Sequence, residues 1–399
     1  MAGWDASSPA GKHGEGCIIQ AISPAFQAAI ATGYQAYLQA DVLVGGVPAV
    51  SGLSVSDGQV VLSRGAAQRR TFTLSLTLDD PSLIPSDNSS AMAPFGSEVQ
   101  LFAGWIDPST KAPYIIPSTG MVELVSQGIF AYTTGTPTDT GSDLTFPMSG
   151  YDRSWSLSQR KFKSAFNVTA GTAPETAIQD ILAAQYPSSP ALSCPPTGFA
   201  LPAMSFTQGS DPWQACLTIA AAAGLELFYN AVGVPTALPT PNPGSAPTAW
   251  TYADDGSGNA PWSTCARSLT RENIFNDFIV SGTGSQITPC SAEASDTNPL
   301  SPTYTGGGFG DVPSFPTSSS ITDSSVALAA AQNALTQSLG SVEVFTLTAS
   351  PAPMFDVDDV VGLVATRLLT NCKTVVDGLI YSVRHDTKTQ LTLRRIYSS

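Results

Sequence analysis

The sequence predicts a mainly β protein in which a small α/β unit separates two β-rich regions. Three observations carry this. Before residue 150 and after residue 340, apolar residues alternate with Ser, Thr and Gln, as in half-buried strands. Between them, two short apolar stripes at helical spacing stand among capping residues. The joining segments are dense in Pro, Gly, Ser and Thr.

The first region opens with Tyr34–Val44, which leads through Gly45-Gly46 into Val47–Val50 as a hairpin. In Gln68–Leu78, Phe72, Leu74, Leu76 and Leu78 share one face, with Arg70, Thr71, Thr73, Ser75 and Thr77 on the other. Further strands are expected at Glu98–Trp105, Met121–Tyr132 and Asp143–Met148, enough for a closed barrel or a sandwich.

The middle region begins at Thr172-Ala173-Pro174-Glu175, a capping-box pattern, followed by the stripe Ile178, Ile181 and Leu182 and a stop near Tyr186, before Pro187. The second helix lies in DPWQACLTIAAAAGLELFYN: Asp211 is its cap, Pro212 its first residue and Gly224 its left-handed stop. Trp213, Cys216, Leu217 and Ala220 form one face, and Leu225, Leu227 and Tyr229 alternate as a strand. Residues 231–262 read as a connector.

Beyond it, Asn276–Ser281 is a short strand, and residues 284–321 read as a long irregular arm. A third helix is expected over Ser324–Leu339, with Leu328, Ala331, Leu335 and Leu339 inward and Gly340 as its stop. Strands follow at Val342–Thr348, Val357–Ala365, Lys373–His385 and Gln390–Tyr397, with a turn at Asp386–Thr389.

The 399 residues are only 12% charged, about half the usual share, and the net charge is −14. A surface so poor in charge fits one covered by partners or coated with hydroxyls. The acidic balance argues against a nucleic-acid grip, which needs clustered Lys and Arg. It suits a surface past which DNA slides. The cysteines (17, 194, 216, 265, 290 and 372) contain no CxxC and read as buried thiols. The N-terminus lacks a Sec signal, and Glu226 and Asn230 interrupt the longest apolar run, so no spanning helix or membrane insertion is expected.

Candidates for chemistry are sparse. The histidines are His13 and His385, and there is no GxSxG elbow. Asp254-Asp255-Gly256-Ser257-Gly258-Asn259 starts like a calcium loop but lacks the closing Glu, so a turn is favoured. Asp356, Asp358 and Asp359 offer a carboxylate pair without a companion motif. Gly306–Gly310 has no GK[ST], and Gly282-Thr283-Gly284 opens no helix. Trp105, Tyr132, Tyr151, Trp155, Trp250 and Trp262 are scattered, which favours packing over a sugar platform. No catalytic, cofactor-binding or metal-binding residue is assigned.

Taken in order, several stretches resemble one family. DPWQACLTIAAAAGLELFYN resembles a helix-glycine-strand segment of phage baseplate hub proteins and type VI secretion spike proteins. RENIFNDFIVSGTG resembles the strand opening their second barrel. SAEASDTNPLSPTYTGGGFGDVPSFPTSSSITDSSVALAAAQNAL resembles the arm and helix after it, and PAPMFDVDDVVGLV the next turn and strand. GAAQRRTFTLSLTLDD, LIPSDNSSAMAPFGSEVQLFAGW and GYDRSWSLSQRKF look like minor tail proteins of long-tailed actinobacterial phages.

The resemblance implies two tail-tube-like β-barrels plus a smaller α/β domain. The expected divisions are an N-terminal extension (1–33), a first hub barrel (34–152), an α/β insert (153–235) and a second barrel (236–399) with its arm 284–321. It implies a homotrimeric ring that joins the sixfold tube to the threefold tip around the DNA channel. A distal tail protein or the tail tube would lie above, tip or fibre proteins below, with room for a tape measure protein in the lumen. The setting would be the virion tail tip, assembled in the host cytoplasm, with no catalytic residues and no lysozyme or fibre domain after Ser399. The competing readings are an adhesin for cell-wall carbohydrate and a hydrolase acting through Asp356.

Overall fold

The computed structural model describes residues 20–198, 200–239, 246–248, 250–282, 290–318, 321, 324–382 and 388–397. His13, His385, Cys17, Gly284 and the turn before Lys388 lie outside these.

The first barrel is built from β1 (Gln35–Val44), β2 (Val47–Ser63), β3 (Arg70–Thr77), β4 (Ser97–Asp107), β5 (Val125–Gly135) and β6 (Leu144–Asp152). Its strands run in the order β1-β4-β5-β6-β3-β2, and β2 returns to β1 to close the cylinder. Representative pairs are Tyr37↔Gly104, Gly150↔Tyr132, Met148↔Leu74 and Val60↔Phe72. Phe72, Leu74 and Leu76 face the interior, as their alternation predicts. Arg70 is on that same buried side and not on the polar one, because period two places residue 70 with residue 72.

Part of the expected N-terminal extension belongs to this core. Helix α1 (Pro24–Thr32) is capped by Ser23, whose hydroxyl accepts from Phe26 N and donates to Glu123. It buries Phe26 and Ile30, with Phe26 stacked 6.0 Å from Trp105.

Strand β2 is longer than the hairpin arm read from the sequence. Its first part pairs with β1, and Gln59–Ser63 pair instead with a strand near the C-terminus, while β3 keeps the opposite edge. A bulge between Val55 and Asp57 marks the change.

The insert comprises α2 (Arg153–Gln159), β7 (Phe166–Val168), α3 (Pro174–Gln185), β8 (Met204–Phe206), α4 (Pro212–Ala222), β9 (Leu225–Tyr229) and β10 (Pro235–Pro239). The capping box does not form: Ala173 is the N-cap, and Glu175 accepts from Thr197 instead. Asp211 does cap α4, accepting from Trp213 N at 2.8 Å and Gln214 N at 3.2 Å, and Gly224 stops it at φ +68°. Asp211→Ala is therefore expected to cost about 1 kcal/mol, read as a shift of the urea midpoint. Trp213, Cys216 and Ala220 are buried as predicted; Leu217 is only half-buried, and Ile219 takes the interior place.

The supposed connector after residue 231 holds strands: β10 pairs with β9 (Leu227↔Ala237), and β11 (Trp250–Ala253) joins the second barrel. That barrel also contains β12 (Trp262–Leu269), separated from it in sequence by β13 (Asp277–Gly282), β14 (Ser291–Ser295), β15 (Pro313–Ser314), β16 (Thr317–Ser318) and helix α5 (Ser324–Ser338). It is completed by β17 (Glu343–Ala349), β18 (Val360–Ala365), β19 (Thr370–Ser382) and β20 (Thr389–Arg395), in the order β11-β18-β19-β20-β17-β12. No ladder joins its two end strands among the described residues: Ala260, just before β12, forms an isolated bridge with Tyr252 of β11, and the Trp262 indole donates to Val364 O at 3.0 Å. β19 is the strand that pairs with β2, so the barrels share one sheet and one continuous apolar core.

Residues 277–282 do not open the second barrel. β13 sits in a separate sheet with β14, β15 and β16, covered by α5. The described part of the arm thus folds back on its own chain, where the buried Asn276 side chain donates to Thr303 O and Gly310 O, both at 2.7 Å. Along α5 the buried residues are Val326, Ala327 and Ala331, and Leu328 points outward.

Candidate functional site

The first barrel, second barrel and insert meet at the turn between β2 and β3. Ser63 N donates to Arg69 O, and Arg64 N donates to Asp377 O on β19, which fixes a tight corner bearing Arg64, Arg69 and Arg70. Arg69 reaches in two directions. Its Nη1 contacts Glu226 of β9 at 3.0 Å, and its Nη2 donates to Val357 O at 2.7 Å and to Asp358 at 3.0 Å. Its guanidinium also lies 3.9 Å above the Phe228 ring.

Arg70 turns into the core. It pairs with Asp356 and donates to Gln127 O at 3.2 Å, and its backbone N–H donates to Asp152 at 2.9 Å. Arg64 bridges Asp358 at 3.2 Å and Asp377 at 3.4 Å. Arg394 of β20 holds Asp377 at 3.2 Å and donates to Thr336 O, Gln337 O and Leu339 O, the terminal carbonyls of α5. One chain of ion pairs therefore ties both barrels and the insert, and Arg394 extends it to the end of α5 by hydrogen bonds.

Burial shapes the titration here. It raises the Asp152 carboxyl above the usual range, against hydrogen bonds from Ser154 and Arg70. It also raises Glu226, with a further push from Asp358. Burial lowers Arg70 and Arg394; Arg69 is raised, because against its desolvation stand the charges of Asp356, Asp358 and Glu226 and the Asp358 hydrogen bond.

For Glu226 the direction gives a testable consequence. A carboxyl raised on folding contributes most below its unfolded value, and the contribution fades as pH rises through the folded one. The stability of wild type relative to Glu226→Gln should thus fall as pH rises above the ordinary Glu range, measured by paired urea titrations.

The aspartates suggested for acid–base work are committed elsewhere. Asp356 is held by Arg70, by Arg69 at 3.6 Å and by Val357 N at 2.8 Å, while Asp359 accepts from Asp356 N at 2.7 Å. Asp254 accepts from Thr366 N and Oγ1, and Asp255 from Ser257 N and Oγ, which makes the acidic loop a turn tied to β18. Trp105, Tyr132 and Trp250 are core residues, whereas Tyr151 is exposed and stacks on Trp155 at 6.1 Å. The described cysteines are free thiols, Cys216 fully buried and the others half-buried.

Beside the ion network lies a cleft of about 680 Å³. Leu217 and Ala221 of α4 form one wall, Ala330 and Ala334 of α5 the other, and Arg64, Arg69 and Glu226 its floor. Half-burial of Leu217 is explained by this cleft. Among the described residues no group of His, Cys, Asp and Glu is placed to hold a metal ion, and no helix is long and apolar enough to cross a membrane.

No protein-family model and no curated protein matches the sequence. Solved structures do match its fold. A tail protein from Neisseria meningitidis superposes with a TM-score of 0.60 at 16% identity, covering 90% of this chain and 96% of that one. The 43 kDa tail protein of prophage MuSo2 from Shewanella oneidensis gives 0.57 at 13%, covering 90% and 98%. The E. coli c3393 protein, a type VI secretion component with structural similarity to T4 tail proteins, gives 0.52 at 8%, covering 90% and 77%. A closed barrel spliced to a second one, with a helical insert at the splice, is thus the fold that this chain shares with phage tail proteins and a type VI secretion component.

Proposed function

We propose that this protein is a structural tail protein, the hub of a phage tail tip, in which three copies close a ring around the DNA channel. The observation that carries this reading is the paired-barrel architecture, matched along nine-tenths of the chain to tail proteins. A chain with two barrels supplies six per trimer, which lets a threefold tip meet a sixfold tube. The distal tail protein or tube would sit above the ring, with tip or fibre proteins below, in the virion. With a net charge of −14, the lumen would be acidic and leave DNA free to move.

The role is non-enzymatic in this reading, since the carboxylates nearest to a catalytic pair are engaged by arginines. Sedimentation of the purified full chain should give three times the monomer mass, and imaging of tail tips carrying a labelled copy should place it in a threefold collar. Release of soluble fragments from host cell walls would count for a hydrolase instead. A ring interior lined mainly by Lys and Arg would overturn the acidic lumen.

A further inference from the structure

We infer that the outer edge of β12, together with the turn at Leu369, is the surface by which one copy docks against the next. This rests on the ring reading above. β12 ends the sheet that runs through both barrels, and among the described residues its only ladder partner is β17. Thr270 N donates to Val342 O, so by alternation residues 264, 266, 268 and 270 face β17. The N–H and C=O groups of Cys265, Arg267 and Leu269 consequently point to the unpaired side.

Free edges in soluble proteins are usually blunted by proline, by several charges or by a cover. Trp262–Leu269 has no proline and one charged residue, Arg267, and its side chains are mostly exposed. Two large apolar residues stand out there: Leu269 is 67% exposed and Leu369 is 94% exposed. Leu369 also sits at φ +52°, a left-handed conformation that bulky residues rarely adopt. The strand and the turn are neighbours, since Arg267 Nη1 donates to Leu368 O. An apolar, strained and uncovered leucine beside an open edge has the character of a contact residue.

Charge identifies the occupant. Residues 262–271 and 365–373 carry Arg267, Arg271, Arg367 and Lys373, and the acid beside them, Glu343 of β17, is shared by Arg267 at 2.7 Å and Arg395 at 3.0 Å, so the edge stays basic in a chain of net charge −14. Asp254, which reaches this turn, is bound to Thr366 N and Oγ1. At one end of the first barrel the opposite holds. The loops after β3 and before β6 meet where Leu78 N donates to Leu144 O, and they expose Asp79, Asp80, Asp87, Asp139 and Asp143 without a basic residue. A second copy of this chain therefore offers the acidic complement to the basic edge, in a head-to-tail contact that repeats around a ring.

The test uses sedimentation of the full chain over a concentration series. Leu369→Asp should raise the concentration for half-assembly by about tenfold or more, from like-charge repulsion. Leu369→Lys, which loses the apolar contact but keeps the favourable sign of charge, should assemble better than Leu369→Asp, and added salt should weaken wild-type assembly. Asp is tolerated at left-handed φ, so the melting temperature of Leu369→Asp should not fall. Arg367→Glu, a second exposed site, should act in the same direction. Trimers that form equally well in Leu369→Asp and Arg367→Glu would overturn this surface and leave the ring reading intact. A wild type that stays monomeric throughout would overturn self-docking by the edge. The ring reading itself falls only if tail-tip images also lack the threefold collar.

Discussion

Replacing Arg70 by leucine should destabilise the protein by about 3–5 kcal/mol, the range for removing one member of a buried ion pair. The guanidinium is buried and answers two acceptors from different parts of the chain, Asp356 of the second barrel and Gln127 O of β5, while the backbone N–H that donates to Asp152 survives the substitution. Leucine keeps the apolar bulk but leaves Asp356 facing Arg69 alone, at 3.6 Å. The stranded carboxylate is what costs. Arg70→Leu combined with Asp356→Asn should accordingly lose less than the sum of the two single changes. Urea unfolding of the four proteins measures this, and a single-variant loss below about 1 kcal/mol would show that the pair does not hold the barrels together.

Trp213→Ala should cost a similar amount, about 3–5 kcal/mol. The ring is 4% exposed, lies 5.5 Å from Tyr229 and donates from Nε1 to Ala67 O at 3.0 Å. It therefore packs the insert and also fastens it to the corner that bears the arginines. Trp213→Phe keeps most of the volume and loses the donor, so it should lie between wild type and alanine. A loss under about 1 kcal/mol for Trp213→Ala would remove the residue from the insert core.

These two sites show what was legible in the sequence. Trp213 was readable because its neighbours act locally: Asp211 and Pro212 start the helix, Gly224 ends it, and the apolar spacing selects its face. Strand β3 was readable by alternation. Period two puts Arg70 on the face of Phe72, but a guanidinium there reads as polar as long as its partner Asp356, 286 residues away, is unknown. The Asp356–Asp359 run was visible as acidic, yet its role depends on arginines from another barrel. The second half of β2 was hidden by Asp57-Gly58, where the bulge resets the side-chain alternation. The arm reads as irregular because β15 and β16 are two-residue strands, too short to show any period, and β14 (SAEAS) alternates only small and polar residues without a large apolar side chain. Spacing alone points Leu328 inward with Ala331 and Leu335, whereas the face that packs on the sheet is shifted towards Val326, Ala327 and Ala330, and Leu328 falls outside it.

Strand β2 has a mechanical consequence. Because Gln59–Leu62 pair with β3 on one margin and Gln59–Ser63 with β19 on the other, the two cylinders are stitched by backbone bonds rather than merely touching. A pull along the strand loads that stitch in shear, so its bonds must give way together instead of unzipping singly. Twist applied to either cylinder is then passed to its twin through these backbone bonds.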